Sequence, residues 1–199
     1  MSSKDLIWET ALELFMKYGI KSVSMDDLAK SVGMSKKTIY TFISNKEDLV
    51  NKVLSKHIKQ DQEAILGIIS DSEDALDAMV SITKHVLLFL RKIKPSLIFD
   101  LKKYHPAGWQ MIEEQHFRFI EDVIRNNILR GISENLYRED ADPGIIAKLY
   151  VAKSRYLVDE DYFPLTEYDR AGLLIQMIMY HLNGIVSDNG KEKLKSIQF

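Results

Sequence analysis

The chain contains no cysteine, so disulfide bridges, thiolate nucleophiles and Cys-based metal sites are all excluded, in keeping with a reducing compartment. It has only 4 prolines and 9 glycines in 199 residues, too few for a turn-rich all-β protein or a collagen-like one. No apolar run is long enough to span a membrane: the best stretch, AGLLIQMIMYHLNGIV, is interrupted by Gln176, His181 and Asn183. The opening MSSKDLIWETAL reads as an amphipathic helix and lacks a signal-peptide core, so a cytoplasmic location is expected. Alternating strand segments, internal repeats and low-complexity tracts are missing too. With 46% hydrophobic and 28% charged residues the composition is that of an ordinary globular protein, and the lack of strand patterns leads to the expectation of an all-α fold.

The net charge of −2 argues against a surface that coats nucleic acid indiscriminately. Its distribution is uneven. Up to residue 60 there are ten lysines and seven carboxylates, a net of +3, which leaves −5 for the remainder. A basic head on an acidic body suits a protein that meets DNA at one end.

The head centres on SMDDLAKSVGMSKKTIYTFISNKEDL, residues 24–49. Ser24 is a good N-cap, and Asp26 and Asp27 suit the positive end of a first helix. Leu28, Ala29 and Val32 share one narrow apolar face, and small Ala29 lets another helix cross closely. Gly33 supplies a left-handed turn, and Ser35 caps a second helix whose Met34 and Ile39 pack back on the first. Ser35, Lys36, Lys37, Thr38, Tyr40 and Thr41 remain outside, the cations and hydroxyls that bind phosphates and base edges. This is a helix-turn-helix pattern. Taken alone, an ordinary helix pair with a solvated lysine face explains it equally well.

The flanks decide between the two. A-x-x-L-F-x-x-x-G at Ala11–Gly19, the run Ser24–Ser35, T-I-Y at Thr38–Tyr40 and N-K-E-D-L at Asn45–Leu49 keep fixed spacings over more than forty residues. From Ile7 to Leu49 the chain resembles the DNA-binding domain of the TetR family of bacterial transcriptional regulators. One departure is visible: the family's usual aromatic three places after the tyrosine is Ile43 here, with Phe42 one residue earlier. The resemblance implies a helix-turn-helix domain at 1–46 and a helical ligand-binding and dimerisation domain at 47–199, about nine helices together. It further implies a homodimer on a roughly palindromic operator, repression, and release by a small-molecule effector. Ser24, Ser35, Lys36, Lys37, Thr38, Tyr40 and Lys46 are the expected DNA contacts, with Lys37 or Thr38 at base edges and Ser24, Tyr40 and Lys46 at phosphates.

Along the body, periodicity predicts helices at about 3–18, 45–69, 72–91, 95–103, 106–132, 143–158 and 166–187. The last is apolar nearly all round, which calls for cover from several sides. Leu149, Leu174, Ile178 and His181 are therefore the expected dimer contacts, since the family pairs its last two long helices with their symmetry mates. Phe89, Phe99, Tyr104, Trp109, His116 and Tyr150 are the candidate pocket lining, a set of aromatic residues with one polar handle. The competing chemistry is thin. Glu113-x-x-His116 has the i, i+3 spacing of a carboxylate-bridged metal site, but no second copy accompanies it. A helical metal- or ligand-binding protein or enzyme with a secondary DNA-binding head is thus the alternative. No cofactor, metal or catalytic residue is expected, and no membrane partner.

Overall fold

A computed structural model describes residues 2–197. Among them the chain is helical throughout, with eleven α-helices and one π-helical segment. They are α1 (Ser3–Tyr18), α2 (Met25–Val32), α3 (Lys36–Ile39), α4 (Lys46–Asp71), α5 (Ala75–Leu90), α6 (Pro95–Tyr104), α7 (Pro106–Met111), the π segment (Ile112–His116), α8 (Phe117–Ser133), α9 (Pro143–Tyr156), α10 (Arg170–Ile185) and α11 (Asp188–Leu194). The chain packs as two compact units, residues 1–61 with 92–116, and residues 62–91 with 117–199.

In the first unit, Ile7, Trp8, Ala11 and Phe15 of α1 lie in a core with Leu28, Ala29, Ile39, Ile43, Leu49, Val53, Leu97 and Leu101. Leu14 on the same side of α1 is half-buried and Tyr18 at its end is exposed. Gly19 ends α1 at φ 81, where the left-handed backbone favours glycine. A Cβ there would sit 2.8 Å from Ser96 Oγ and 3.0 Å from Asp100 Oδ2, so glycine also lets α6 pack against this turn. Asp100 is buried and accepts the Lys21 N–H at 2.8 Å.

The second unit buries Leu76, Met79, Ile124, Ile128, Ala147, Tyr150, Leu174, Ile178, Leu182 and Ile185 in one cluster. Tyr137 is fully buried within it, its hydroxyl donating to the Asn127 side-chain oxygen at 3.0 Å and lying 3.2 Å from the Ala75 carbonyl. Arg130 clasps the α4–α5 connection, donating to the carbonyls of Ser72 and Glu73 and to Glu134.

Several boundaries differ from the periodic prediction. The cap of α5 is Asp74, which accepts the Asp77 N–H, so this helix starts at Ala75 rather than near residue 72. The stretch 106–132 is not one helix, because residues 112–116 widen to π-helical bonding. The last long helix starts at Arg170, where the Asp169 carboxylate accepts two backbone N–H groups, and not at Thr166. Ser187 then caps the additional helix α11.

Candidate nucleic-acid interface

The Ser24 hydroxyl accepts the Asp27 N–H at 3.1 Å, and the Asp27 carboxylate accepts the Ser24 N–H at 2.9 Å, a closed capping box. The Ser24 hydroxyl also donates to Asp27 at 2.6 Å. These bonds to Ser24 hold the Asp27 carboxyl below its usual range. Gly33 takes the left-handed conformation at φ 67, its N–H returning to Ala29 and Lys30, and Ser35 caps α3 by accepting the Thr38 N–H at 3.1 Å. Regular α-bonding stops at Ile39. Thr41 and Phe42 donate three residues back, to the carbonyls of Thr38 and Ile39, which tightens the exit.

The two helices place Ser35, Lys36, Lys37, Thr38 and Tyr40 on one exposed strip while Ile39 is completely buried beneath it. Lys36 is tied to Asp26 at 3.0 Å across the surface, a pairing of small net worth that a phosphate can replace. The Ser35 and Thr38 hydroxyls lie 2.9 Å apart. Ile43 is buried and fills the core place that an aromatic usually holds, with Phe42 half-buried beside it.

Lys46, expected at a phosphate, is also structural. Its half-buried ammonium donates to the Ile20 and Val23 carbonyls at 2.6 Å each. Desolvation lowers its pKa, with Asp100 and Asp27 pulling the other way. An ammonium has three N–H groups, so one remains for a phosphate oxygen. Two further braces escaped the sequence reading. Lys52 donates to the Phe42 carbonyl at 2.9 Å and pairs with Asp48, fixing the α3 exit to α4. His105 is buried and its Nδ1 contacts the Glu47 carboxylate, joining the α6–α7 corner to the first turn of α4. Opposite them, Lys56 pairs with Asp5 at 2.8 Å and Glu9 at 3.3 Å, and its bond holds the Asp5 carboxyl down to about 2.

The residues of the expected pocket lining fall in both units. Phe99, Tyr104, Trp109 and His116 belong to the first unit, Phe89 and Tyr150 to the second. Phe99 and Tyr104 are exposed and meet edge to face at 6.2 Å. Lysines cover these rings: Lys103 over Phe99, Lys21 over Tyr104 and Lys102 over Trp109, each about 5 Å from the centroid. Phe99 and Tyr104 thus face solvent beneath lysine stems, while Trp109 is half-buried. His116 lies on the π segment with Nδ1 3.7 Å from Asp61; burial lowers its pKa and Asp61 partly restores it. Tyr150 is core, its ring edge-on to His181 at 5.0 Å.

Of the four expected dimer contacts, three lie inside this chain's own core. Leu174, Ile178 and His181 are buried within their own chain, and only Leu149 of the four is open. The all-apolar look of α10 reflects cover by α5 and the rest of this core. The open apolar stripe is instead Ile145, Leu149, Ala152 and Tyr156 on α9, at spacings of 4, 3 and 4, with Tyr180 exposed on α10. Among the described residues no group of three or more His, Asp or Glu is placed to hold a metal, and no helix is long and apolar enough to cross a membrane.

An all-α chain headed by a braced helix-turn-helix with an exposed cationic and hydroxylic strip is the architecture of a DNA-binding regulator. Residues 7–53 match the family described as bacterial regulatory proteins, tetR family. The chain is 25% identical over 171 residues to the HTH-type transcriptional regulator YvaF of Bacillus subtilis, covering 84% of this chain and 87% of that one. It is 27% identical over 184 residues to YhgD of the same organism, described likewise, covering 86% and 92%. A transcriptional regulator from Saccharomonospora viridis, solved in complex with choline, superposes with a TM-score of 0.74 at 18% identity over 92% of this chain and 97% of that one. Residues 7–53 thus carry the TetR-family regulatory domain, and the chain as a whole is similar to HTH-type transcriptional regulators.

Proposed function

We propose that this regulator is a repressor that binds a roughly palindromic operator as a homodimer in the bacterial cytoplasm and leaves it when a small molecule binds the body. The observation that carries this reading is the exposed strip on α2 and α3, held by two serine caps and by ammonium–carbonyl bonds from Lys46 and Lys52. A reading helix must be rigid before it can discriminate bases. Lys37 and Thr38 then read base edges. Tyr40, Lys36 and the remaining N–H of Lys46 take phosphates, as does the N-terminus of α2 around Ser24.

By function, residues 1–46 form the reading domain and 47–199 the responding one. α4 runs unbroken from Lys46 to Asp71 and is the element through which the body acts on the head. The stripe Ile145, Leu149, Ala152 and Tyr156 with Tyr180 is the face offered to a second copy. An effector that binds best where the two heads are misplaced lowers DNA affinity by its differential affinity for that state. The choline bound to the S. viridis relative supports a small-molecule role for this fold. No enzymatic step is assigned to the chain.

Selection of bound duplexes from a random pool tests the reading. It should recover an inverted repeat whose half-site centres are about 34–36 Å apart or a near multiple. Recovery of no motif, or of a single unrepeated half-site, overturns it.

A further inference from the structure

We propose that the seam between α9 and α10 at Lys153 and His181 binds an amphipathic organic anion, with its carboxylate on these two side chains and its apolar body against Tyr150, Leu174 and Met177. The inference rests on the reading that the body answers a small molecule, and it supplies the chemical class.

His181 is 4% exposed, and its Nε2 is sealed from solvent with no hydrogen-bond partner among the described residues. Buried polar atoms are nearly always satisfied, so a buried orphan marks a place where a further partner fits. The ring meets Tyr150 edge-on at 5.0 Å, and it stands on the helix that carries the core residues Leu174, Met177, Ile178 and Leu182. Lys153 stands three residues after Tyr150, on the same side of α9. Its ammonium lies 4.9 Å over the ring of Tyr180, the residue next to His181. Lys153 is half-buried, and among the described residues no carboxylate pairs with it. Burial lowers the Lys153 pKa, and burial together with the Lys153 charge lowers that of His181 to about 4.

An unmatched cation beside an unmatched imidazole, over an apolar floor, has the polarity of an anion site. In its Nε2–H tautomer His181 donates to a carboxylate, and the carboxylate neutralises Lys153. A cationic ligand is repelled by Lys153, and a water molecule leaves that charge unmatched. A second copy of the chain does not reach Nε2, which is sealed inside, whereas the stripe from Ile145 to Tyr156 is open. Met177 is unbranched and adaptable, and its sulfur lies 3.9 Å from the Ser154 hydroxyl, so this wall can yield to a guest.

Calorimetric titration of the full chain with decanoate and 2-naphthoate, against 1-decanol and 2-naphthol, tests the site, with unfolding curves confirming that each variant is folded. The carboxylates should bind at least tenfold more tightly than their neutral partners. Lys153→Met should remove that preference, and ¹⁵N-imidazole NMR should show His181 Nε2 shifting on addition of carboxylate. Equal binding of acid and alcohol, unchanged affinity in Lys153→Met, or no binding of either carboxylate overturns the proposal. His181→Gln is the second variant, and it too should weaken the carboxylates at least tenfold. Binding that leaves DNA affinity unaltered supports the site and refutes release by effector. Absence of binding by a protein that still selects a palindrome refutes the site and leaves the DNA reading standing.

Discussion

Replacing Lys46 by methionine keeps the aliphatic stem and deletes one ammonium. That ammonium joins the start of α4 to the α1–α2 connection through two bonds of 2.6 Å, to carbonyls 26 and 23 residues earlier. A hydrogen bond to a charged group contributes about 1.5–3 kcal/mol. The group is only partly buried, and its lowered pKa records a desolvation cost that offsets some of the gain. A net loss of about 2 kcal/mol for the pair of bonds is therefore expected. In a chain of this length each kcal/mol moves the midpoint by about 2–4 °C, so Tm should fall by ~4–8 °C. The remaining N–H gives the second prediction of the same substitution. If it holds a phosphate, the slope of log affinity against log salt should flatten by about 1 per subunit, equally on operator and on unrelated DNA. Circular dichroism melting and fluorescence anisotropy across a salt series measure the two effects separately. A Tm unchanged within a degree would refute the bracing role, and an unchanged slope would refute the phosphate role.

Acid should uncover His181. Its imidazole titrates at about 4 in the fold against an ordinary 6.5, chiefly through burial and then through Lys153, so the unfolded chain takes up the proton first. The stabilisation is complete above pH 6.5 and is lost as pH falls toward 4, by up to about 3 kcal/mol. Urea unfolding at pH 7 and 4.5 should show a larger loss in the wild type than in His181→Phe; equal losses would contradict the assignment. Ile178→Ala, at a fully buried core position, should cost about 2–5 kcal/mol in the same assay. Leu149→Glu, on the open stripe, should sediment as a folded monomer, and a persistent dimer would place the contact on another face. Thr38→Ala should change the preferred base at one position per half-site by about 1–3 kcal/mol, and an unaltered preference in repeat selection removes Thr38 from the reading set.

The head was legible because its signals are local. Ser24, Gly33 and Ser35 act on neighbours three or four residues away, and the caps and the left-handed turn stand where residue type put them. What escaped is nonlocal. Nothing near His105 announces the Glu47 carboxylate 58 residues earlier, so it reads as a helix-end histidine although it is buried. Lys46 was legible as a cation by the reading helix but not as a donor to Ile20 and Val23. The packing of residues 92–116 with the first unit depends on Gly19 admitting Ser96 and Asp100, a contact that no periodicity encodes. α10 failed differently: its pattern revealed that it is covered, but not by what. Spacing cannot tell a chain's own core from a symmetry mate, so Leu174 and Ile178 read as dimer contacts although both are buried within this chain, and the open apolar stripe lies on α9.

The central claim is that α3 reads sequence and does not merely carry charge. Affinity for the selected palindrome and for a scrambled duplex of equal length, measured at one physiological salt concentration, tests it most directly. The account predicts a ratio of about 10³ or more, falling on Lys37→Ala or Thr38→Ala while the scrambled duplex binds as before. A ratio near one, or substitutions that weaken both duplexes alike, would contradict it.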